Sequence, residues 1–369
     1  MSAHIAIDAR RINTSTGRYI ERLLHHLERL DERNRYTVLV PHADLDYWTP
    51  QNPRFTTVPS DFAIYSLAEQ TGFKRQLDGI RADLVHFPMP QQPLRYRGPH
   101  VTTFHDLTLI NTYNSDKRWL EYRVKQLVGR YAFRHALRSS AHIMVPSAFT
   151  RDALVEFGHI DRAKVTVTYE AAELPEGARA AGEPAATGIP FARYLLYVGL
   201  QPDYKNIRRL AQAHQRLLDR HPDLGLVLVG TKFPSVQANE RLFSELGYRN
   251  IHFTGYLSEA ELDAAYRGAL AYVFPSLSEG FGLPGLEAML RGVPVVSSRA
   301  SCLPEIYGDA ARYFDPMDVD DMARVIATVV ESAPLRAQLK DAGDWRASQF
   351  SWRRMAEQTL GVYESVLAR

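Results

Sequence analysis

The chain has 369 residues, of which 45% are hydrophobic, and its length favours two domains over one. Its formal net charge is only +2, which does not favour binding to nucleic acid. Cys302 is the single cysteine, so an intramolecular disulfide is excluded and a reducing compartment fits.

Short apolar strands alternate with helical patterns through the first half of the chain. Strands are predicted at 4–8, 36–40, 84–87, 101–104, 142–145 and 165–168. Helices such as 117–138 and 148–157 fall between them. This alternation is typical of a parallel sheet covered by helices, so the fold class is α/β.

The predicted helix 117–138 carries most of its charge as arginine and lysine. Its basic residues include Arg118, Arg123, Lys125, Arg130, Arg134 and Arg138. A solvated helix face explains them, and so does contact with an anionic acceptor or a lipid headgroup surface. No apolar run approaches the roughly 20 residues that span a bilayer. We therefore expect a cytoplasmic protein, with peripheral contact at the inner membrane face left open.

Residues 171–192 are rich in Ala, Gly, Pro and charge and have no period, which predicts a linker over 176–192. The alternation then restarts, with strands at 194–198, 224–229, 251–253, 270–274, 293–296 and 312–314. We therefore predict two doubly wound domains, 1–175 and 193–351. Ligands of such sheets bind at the carboxyl ends of the strands.

Two glutamates, Glu279 and Glu287, stand eight positions apart on either side of a glycine turn. An apolar run precedes them and a helical run that stops at Gly292 follows, so the segment reads as strand, turn and helix. The turn consists of Gly280, Phe281, Gly282 and Leu283. A glycine turn at the start of a helix suits an anion. A tight turn followed by a dipole-favoured carboxylate, with no further role, is the alternative.

The full string Glu-Gly-Phe-Gly-Leu-Pro-x-Leu-Glu-Ala-Met resembles the Glu-x7-Glu signature of the family 4 glycosyltransferases. Those are retaining enzymes with the GT-B fold, in which two Rossmann-like doubly wound domains face each other across a cleft. The resemblance implies that 1–175 binds the acceptor and 193–351 binds a nucleotide sugar. It also implies that the C-terminal helix, 352–369, crosses back to the first domain.

On the donor side, the resemblance places Glu279 at the sugar, near the reacting carbon, and Glu287 at the ribose hydroxyls. Lys205 follows the predicted strand 194–198, at the start of a helix predicted over 207–220 that Asn206 can cap. A lysine is unfavourable beside the positive end of a helix dipole, and a bound diphosphate would explain it. The resemblance makes Lys205 a donor-phosphate ligand; an exposed surface lysine is the alternative. Tyr256 resembles a position of that family that contacts the base of the donor nucleotide.

On the acceptor side, His105 closes the strand 101–104 and resembles a family histidine that contacts a sugar hydroxyl; a hydrogen-bonded core or turn histidine is the alternative. Asp106 either orients His105 or caps the segment that follows. Gly17 resembles the glycine loop after the first strand, and Arg10 and Arg18 either bind an acceptor phosphate or are surface charges.

The sequence departs from the family pattern at two positions. Ser15 stands where relatives often have the first glycine of the loop, and Leu200 stands where many have an arginine. The missing arginine shifts the expected stabilisation of the leaving group onto Lys205 and the glycine turn.

The activity implied by the resemblance is retaining transfer of a hexose to a glycan or glycolipid hydroxyl, as in cell-surface polysaccharide synthesis. Mannose from GDP-mannose is favoured, and a UDP-sugar is left open. We expect no cofactor and no metal, because Asp44-Leu45-Asp46 lies in a polar loop without the context of an Asp-x-Asp metal motif. The alternatives are a catalytically silent nucleotide-sugar-binding module and a sugar-nucleotide epimerase of the same fold.

Overall fold

The computed structural model describes residues 2–14, 16–111, 119–174, 187–231 and 233–369, without the side chains of 109, 111 and 119–125. The described residues form two compact units. The first comprises residues of Met1–Asn111, Lys117–Glu170 and Ser351–Arg369, and the second comprises residues of Ala171–Phe350. No helix among the described residues is long and apolar enough to cross a membrane.

The first unit is built on a parallel sheet with the strand order β3-β2-β1-β4-β5-β6-β7. Strands β1 to β7 are His4–Asp8, Arg35–Val40, Phe55–Pro59, Leu84–Phe87, His100–Thr103, His142–Val145 and Val165–Val167. Helices α1 to α5 are Gly17–Leu30, Lys74–Ile80, Thr108–Asn111, Trp119–Ser139 and Ala148–Gly158. Single turns of other helix types lie at His42–Asp44, Glu69–Phe73 and Arg162–Lys164. Strand β3 was not predicted; it is an edge strand that ends in proline, and such strands carry a weak apolar signal.

The second unit has a parallel sheet with the strand order β10-β9-β8-β11-β12-β13. Strands β8 to β13 are Tyr194–Val198, Gly225–Val229, Ile251–Gly255, Ala271–Phe274, Val295–Ser298 and Ala311–Phe314. Helices α6 to α12 are Ile207–Leu217, Pro234–Glu245, Glu259–Gly268, Leu283–Leu290, Leu303–Tyr307, Val319–Glu331 and Ala333–Ser348. Short 3-10 turns lie at Asp203–Lys205 and Gly308–Ala310. Helix α6 ends at Leu217, short of the predicted 220.

Each sheet has one point where the chain changes direction across it. In the second unit, β8 continues to β9 on one side, whereas β11 lies against its other side. The connections that leave the carboxyl ends of β8 and β11 therefore diverge, and ligands of doubly wound sheets bind in the crevice at such a point. The equivalent point of the first unit lies between β1 and β4.

The helix α13, Trp352–Leu367, belongs to the first unit although it follows the second in the chain. Ser351 caps its N-terminus by accepting from the backbone N–H of Arg354 at 3.3 Å. The helix is anchored by the buried Tyr363, whose hydroxyl lies 2.6 Å from His86 Nδ1. The other ring nitrogen of His86 lies 2.9 Å from the hydroxyl of Thr103. Burial lowers the pKa of His86 to about 3, so the ring is neutral and both of its nitrogens need a hydrogen-bonding partner.

We expect Tyr363→Phe to lower the free energy of unfolding of the first unit by about 1–3 kcal/mol, because a ring nitrogen of His86 loses its buried partner. Urea denaturation measures this loss. Tyr47→Phe is the matched control, since the Tyr47 side chain is half exposed and the same hydroxyl is removed there at little cost. Equal effects of the two substitutions would contradict the anchoring role of Tyr363.

Candidate functional site

An ion pair lies where the carboxyl ends of β8 and β11 meet. Lys205 comes from the turn Asp203–Lys205 after β8, and Glu279 comes from the segment after β11. Lys205 Nζ donates to Glu279 Oε1 at 2.6 Å, and the two side chains are only 16% and 13% exposed. The ammonium also lies 5.3 Å from the centre of the Phe274 ring, a favourable position for a cation. The structure thus brings together Glu279, predicted to lie at the donor sugar, and Lys205, predicted to bind the donor phosphate.

The turn that carries Lys205 is tied to the end of β11 through Asn206. The Asn206 side chain donates to the carbonyls of Pro275 at 3.1 Å and Pro316 at 2.8 Å. It therefore does not cap α6, and the predicted cap is wrong: Asn206 occupies the cap position in a left-handed conformation, but its amide is used elsewhere. The backbone N–H of Leu277 also donates to the Tyr204 carbonyl at 2.7 Å. These bonds fix the position of Lys205 relative to Glu279.

The backbone of Glu279 is held by the segment that follows β12. Its N–H donates to Ser301 Oγ at 3.0 Å, and its carbonyl accepts from Cys302 Sγ at 3.3 Å. Burial, and then the charge of Glu279, raise the pKa of the Cys302 thiol well above its usual range, so the thiol stays protonated as a donor. Sequence reasoning missed Ser301 and Cys302, although their place after a strand next to β11 was a usable signal.

Gly282 of the turn and Gly285 of α9 are required by the backbone and by the packing of Tyr307. Gly282 has φ +104°, and a Cβ there would lie 2.6 Å from the Tyr307 hydroxyl, which donates to the Gly282 carbonyl. A Cβ on Gly285 would come within 2.3 Å of the same ring. Phe281 is 4% exposed and packs edge-to-face on Phe350. The Phe281 side chain is therefore part of the core, and what the turn can offer a ligand is its backbone.

Four further donor-side residues keep the status of predictions. Gly280 is buried and Leu283, the first residue of α9, is partly buried. Glu287 lies on α9 and is partly exposed. Tyr256 follows β10 and its side chain is 78% exposed. The predicted contacts of Gly280 and Leu283 with the diphosphate, and of Glu287 and Tyr256 with the nucleoside, are not tested by these positions.

In the first unit, both ring nitrogens of His105 face hydrogen-bond acceptors. Nδ1 lies 3.0 Å from Glu170 Oε1, and Nε2 lies 3.0 Å from the Pro88 carbonyl. A carbonyl and an ionised carboxylate can only accept, so these two contacts favour the ring that carries a hydrogen on both nitrogens, the imidazolium. Burial alone would lower the pKa of His105, but the hydrogen bond and charge of Glu170 outweigh it and raise this pKa above 6.5. Tyr19 packs edge-on against the ring at 4.8 Å.

Glu170 is the functional candidate that sequence reasoning missed in this unit. It follows β7 and is only 6% exposed, so it lies at the same carboxyl edge of the sheet as His105. A carboxylate directly after a strand was a usable signal, but the segment from 171 onward was interpreted as a linker and Glu170 was passed over. Asp106 accepts from the backbone N–H of Thr108 at 2.8 Å, which supports the capping alternative for that residue.

Arg10 is buried, so the surface-charge alternative for it is wrong. Its guanidinium donates to Asp8 at 2.8 Å, to Glu69 at 2.9 Å and to the Phe62 carbonyl at 2.6 Å. It also lies over the ring of Phe73. These contacts occupy the guanidinium, and they join β1 to the segment before α2. A role for Arg10 in binding an acceptor phosphate stays a prediction. Such binding would have to break the contacts of the guanidinium described above.

Gly17 is required by its own loop. A Cβ there would lie 1.7 Å from the Ile12 carbonyl oxygen, so no other residue fits this backbone. Arg18 is exposed on the first turn of α1, and Ser15 lies outside the described residues. Within those residues no group of three His, Cys, Asp or Glu side chains is placed to hold a metal ion.

Two family models match the chain and together cover most of it. "Glycosyl transferases group 1" matches residues 187–345, and "Glycosyltransferase Family 4" matches residues 16–174. O-antigen chain mannosyltransferase B of Escherichia coli is 33% identical over 274 residues, which cover 72% of this chain and 70% of that protein. MMP alpha-(1->4)-mannosyltransferase of Mycolicibacterium hassiacum is 40% identical over 171 residues, 45% of this chain and 41% of that protein.

The fold is shared with solved structures at low sequence identity. Sucrose-phosphate synthase from Thermosynechococcus elongatus has a TM-score of 0.79 at 18% identity and covers 99% of both chains. HepE from Anabaena, solved in complex with UDP and glucose, has a TM-score of 0.74 at 17% identity and covers 98% of this chain and 100% of its own. The predicted fold class and family are both confirmed. The chain belongs to the glycosyltransferases of group 1 and family 4, with the GT-B fold.

Proposed function

We propose that the protein is a retaining, metal-independent mannosyltransferase that uses GDP-mannose as its donor. The acceptor is a hydroxyl of a glycan or a lipid-linked sugar, as in the synthesis of cell-surface polysaccharide. The relatives support the sugar, because O-antigen chain mannosyltransferase B and MMP alpha-(1->4)-mannosyltransferase are both mannosyltransferases by name. HepE, with UDP and glucose, keeps a UDP-sugar as the competing donor.

The observation that carries the proposal is the Lys205–Glu279 pair at 2.6 Å at the switch point of the second sheet. Transfer from a nucleotide sugar requires stabilisation of the departing diphosphate and orientation of the sugar. Lys205 supplies a cation for the diphosphate, and the N-terminus of α9 supplies backbone N–H groups and a positive dipole. Glu279 orients the donor sugar, and Glu287 accepts from the ribose hydroxyls.

Retention fits a site in which the leaving phosphate itself deprotonates the incoming hydroxyl. The protein then contributes mainly position and electrostatic stabilisation. His105 and Glu170 are the residues of the first unit that contribute to transfer. The His105 imidazolium contacts a sugar hydroxyl, and Glu170 stabilises its positive charge. The protein works at the inner face of the membrane, where lipid-linked acceptors are presented.

Thermal shift with GDP-, UDP- and ADP-sugars tests the donor site. A ligand that binds only the folded protein stabilises it by about 2.7 kcal/mol at a concentration 100 times its Kd. We expect GDP-mannose to raise the Tm of the wild type and to leave Lys205→Met almost unshifted. A larger shift with a UDP-sugar would reassign the base, and no shift with any donor would overturn the donor site.

Product analysis tests the chemistry separately. We expect the anomeric proton signal of the product to show that the anomeric carbon keeps the α configuration of the donor. We also expect the rate of transfer to be unchanged by EDTA. An inverted product would overturn retention, and loss of rate with EDTA would overturn metal independence. Binding of donor without turnover on any acceptor would favour the catalytically silent module.

A further inference from the structure

Tyr65 has a backbone conformation that a bulky residue rarely adopts. It lies between β3 and α2 and has φ +60°, in the left-handed region. Arg81 and His159 share this conformation, but they directly follow the helices α2 and α5, where it is a common way for a helix to end. Tyr65 instead lies before a helical turn, so its strain has to be offset by other contacts.

Buried charge holds this strained backbone in place. The Tyr65 N–H donates to Glu69 Oε2 at 2.9 Å, and the other oxygen of Glu69 accepts from Arg10 Nη2 at 2.9 Å. Arg10 is fixed in turn by Asp8, the last residue of β1. Glu69 and Arg10 are 1% and 7% exposed, so these bonds are shielded from water. The buried ion pairs therefore do more than join β1 to the segment before α2: they hold Tyr65.

The Tyr65 ring is held beside the switch point of the first sheet. Its hydroxyl accepts a hydrogen bond from Gln91 Nε2, and Gln91 belongs to the segment that follows β4. The contacts of Tyr65 thus lead to the carboxyl ends of β1 and β4, where ligands of a doubly wound sheet bind. His105 Nε2 lies 3.0 Å from the Pro88 carbonyl, and Pro88 and Gln91 are at most about 11 Å apart along the chain. The ring is therefore in the neighbourhood of His105.

The Tyr65 ring is exposed, and polar atoms without partners lie next to it. The residue is 59% exposed, whereas Gln91 is 8% exposed. Gln91 Oε1 and Arg11 Nε are buried and have no hydrogen-bonding partner among the described residues. Burial raises the pKa of the Tyr65 hydroxyl, and the charge of Arg11 lies close enough to oppose this rise. An unpaired acceptor and an unpaired donor therefore lie beside an exposed aromatic ring.

A sugar ring matches both parts of this arrangement. Its C–H face packs on an aromatic face, and its hydroxyls donate and accept hydrogen bonds at the edge. An acyl chain or an apolar peptide side chain would cover the Tyr65 ring but leave the buried atoms of Gln91 and Arg11 unpaired, which is unfavourable. We propose that a sugar ring of the acceptor stacks on Tyr65 and that Gln91 Oε1 accepts from one of its hydroxyls. This inference rests on the proposed function and adds to it the residues that recognise the acceptor saccharide.

Saturation-transfer NMR with simple glycosides tests the stacking without donor and without turnover. The probes are the methyl α-glycosides of mannose, glucose, galactose and N-acetylglucosamine. We expect the wild-type protein to transfer saturation to the ring C–H protons of at least one of them. The Kd of that glycoside should be on the order of tenfold larger for Tyr65→Asn, the usual loss when an aromatic anchor is truncated. Absence of transfer to all four glycosides would overturn the proposal.

Asparagine is the replacement that separates the ring from the fold. It tolerates the left-handed region, so the loop keeps its course while the aromatic ring is removed. Tyr65→Phe keeps the ring and should keep most of the binding. Tyr47→Asn is the matched control, because Tyr47 is 50% exposed in the same unit. Wild-type binding by Tyr65→Asn, or an equal loss in Tyr47→Asn, would overturn the stacking.

Gln91→Leu tests the hydrogen bond to the sugar. The substitution removes Oε1 with little change in side-chain volume, and we expect it to weaken glycoside binding less than Tyr65→Asn does. Thermal melting of each variant without ligand confirms that the first unit is folded. Wild-type glycoside binding by Gln91→Leu would overturn the hydrogen-bonding part of the proposal.

Kinetics with the donor separates this inference from the proposed function. With the bound glycoside as acceptor, Tyr65→Asn should raise the KM for the glycoside at a nearly unchanged kcat, because a contact made equally in the ground and transition states is lost. Its thermal shift with the donor should equal that of the wild type. An unchanged KM for the glycoside would overturn the acceptor subsite alone. A wild-type protein that no donor stabilises would overturn the proposed function, while the glycoside titration would still decide the stacking on Tyr65.

Discussion

Replacing Lys205 with methionine is expected to lower kcat/KM for sugar transfer on the order of 100- to 1000-fold, the usual loss when one preorganised electrostatic partner of a leaving group is removed. The effect should be at the high end, because the family pattern that the sequence resembles often has an arginine where this chain has Leu200, so we expect less positive charge beside the diphosphate. Steady-state kinetics with the donor identified by thermal shift measures this loss.

The same substitution separates stability from catalysis. Because the pair with Glu279 is only 16% and 13% exposed, Lys205→Met leaves a largely buried carboxylate without its cation and should cost about 2 kcal/mol of folding free energy. Adding Glu279→Gln removes that charge and should restore most of the stability, but not the transfer. A double variant that regains transfer would show that the pair is structural.

Lys74→Met is the matched control for Lys205→Met. Lys74 pairs with Asp78 across one helical turn, and both of those side chains are more exposed than the Lys205–Glu279 pair. Exposed pairs of this kind contribute about 0.3–0.5 kcal/mol, so stability and transfer should both stay near wild-type values. Wild-type transfer by Lys205→Met would exclude Lys205 from the site.

Replacing Glu170 with glutamine is expected to move the alkaline limb of the pH–rate profile to lower pH. The hydrogen bond and charge of Glu170 raise the pKa of His105 against the opposing effect of burial. Without that charge, burial dominates, the pKa of His105 falls, and the imidazolium is lost at a lower pH. At a pH below the alkaline limb of the wild type and below that of the variant, the variant should retain much of its kcat. A purely structural defect would not allow this.

The same pair makes stability depend on pH in a defined direction. Because the pKa of His105 is raised in the folded state above 6.5, its stabilising contribution is complete below about 6.5 and is lost as pH rises through the folded-state pKa. Urea titrations across this range should show the decline in the wild type and a smaller one in Glu170→Gln.

Imidazole ¹⁵N shifts provide a readout that needs no substrate. As pH rises from 6.5, both nitrogens of His105 should keep the shifts of a protonated ring to a higher pH in the wild type than in Glu170→Gln. His105→Gln assigns the signals, and Glu173→Gln, an exposed carboxylate nearby in sequence, is the control. Loss of the proton at the same pH in the wild type and in Glu170→Gln would contradict the role of Glu170.

The alternation of strands and helices was predictable because buried parallel strands are continuous apolar runs that sequence alone reveals. The strand β3 escaped because an edge strand needs fewer apolar residues, and its proline argues against a strand. The Glu279 segment was predictable from its glycines and carboxylates, but the reason for Gly285 was not. That reason is the ring of Tyr307, a contact between residues far apart in sequence.

Pairings across the sheet were the least predictable part of the site. The sequence indicated Lys205 and Glu279 separately, and only the strand order places β8 beside β11 and so brings the two side chains to 2.6 Å. Asn206 is a case in which a prediction was made from the local sequence and was wrong. Local rules predicted a cap, and tertiary contacts with the carbonyls of Pro275 and Pro316 displaced it.

The membership of α13 in the first unit has a consequence for biosynthesis. Because Tyr363 and its helix are translated after the whole of Ala171–Phe350, the ribosome presents the second unit before the first can bury His86. Domains generally fold as they emerge, and here the segment Ala171–Phe350 of the second unit is complete before α13 is made. The first unit can therefore reach its final packing only after the second unit has been synthesised.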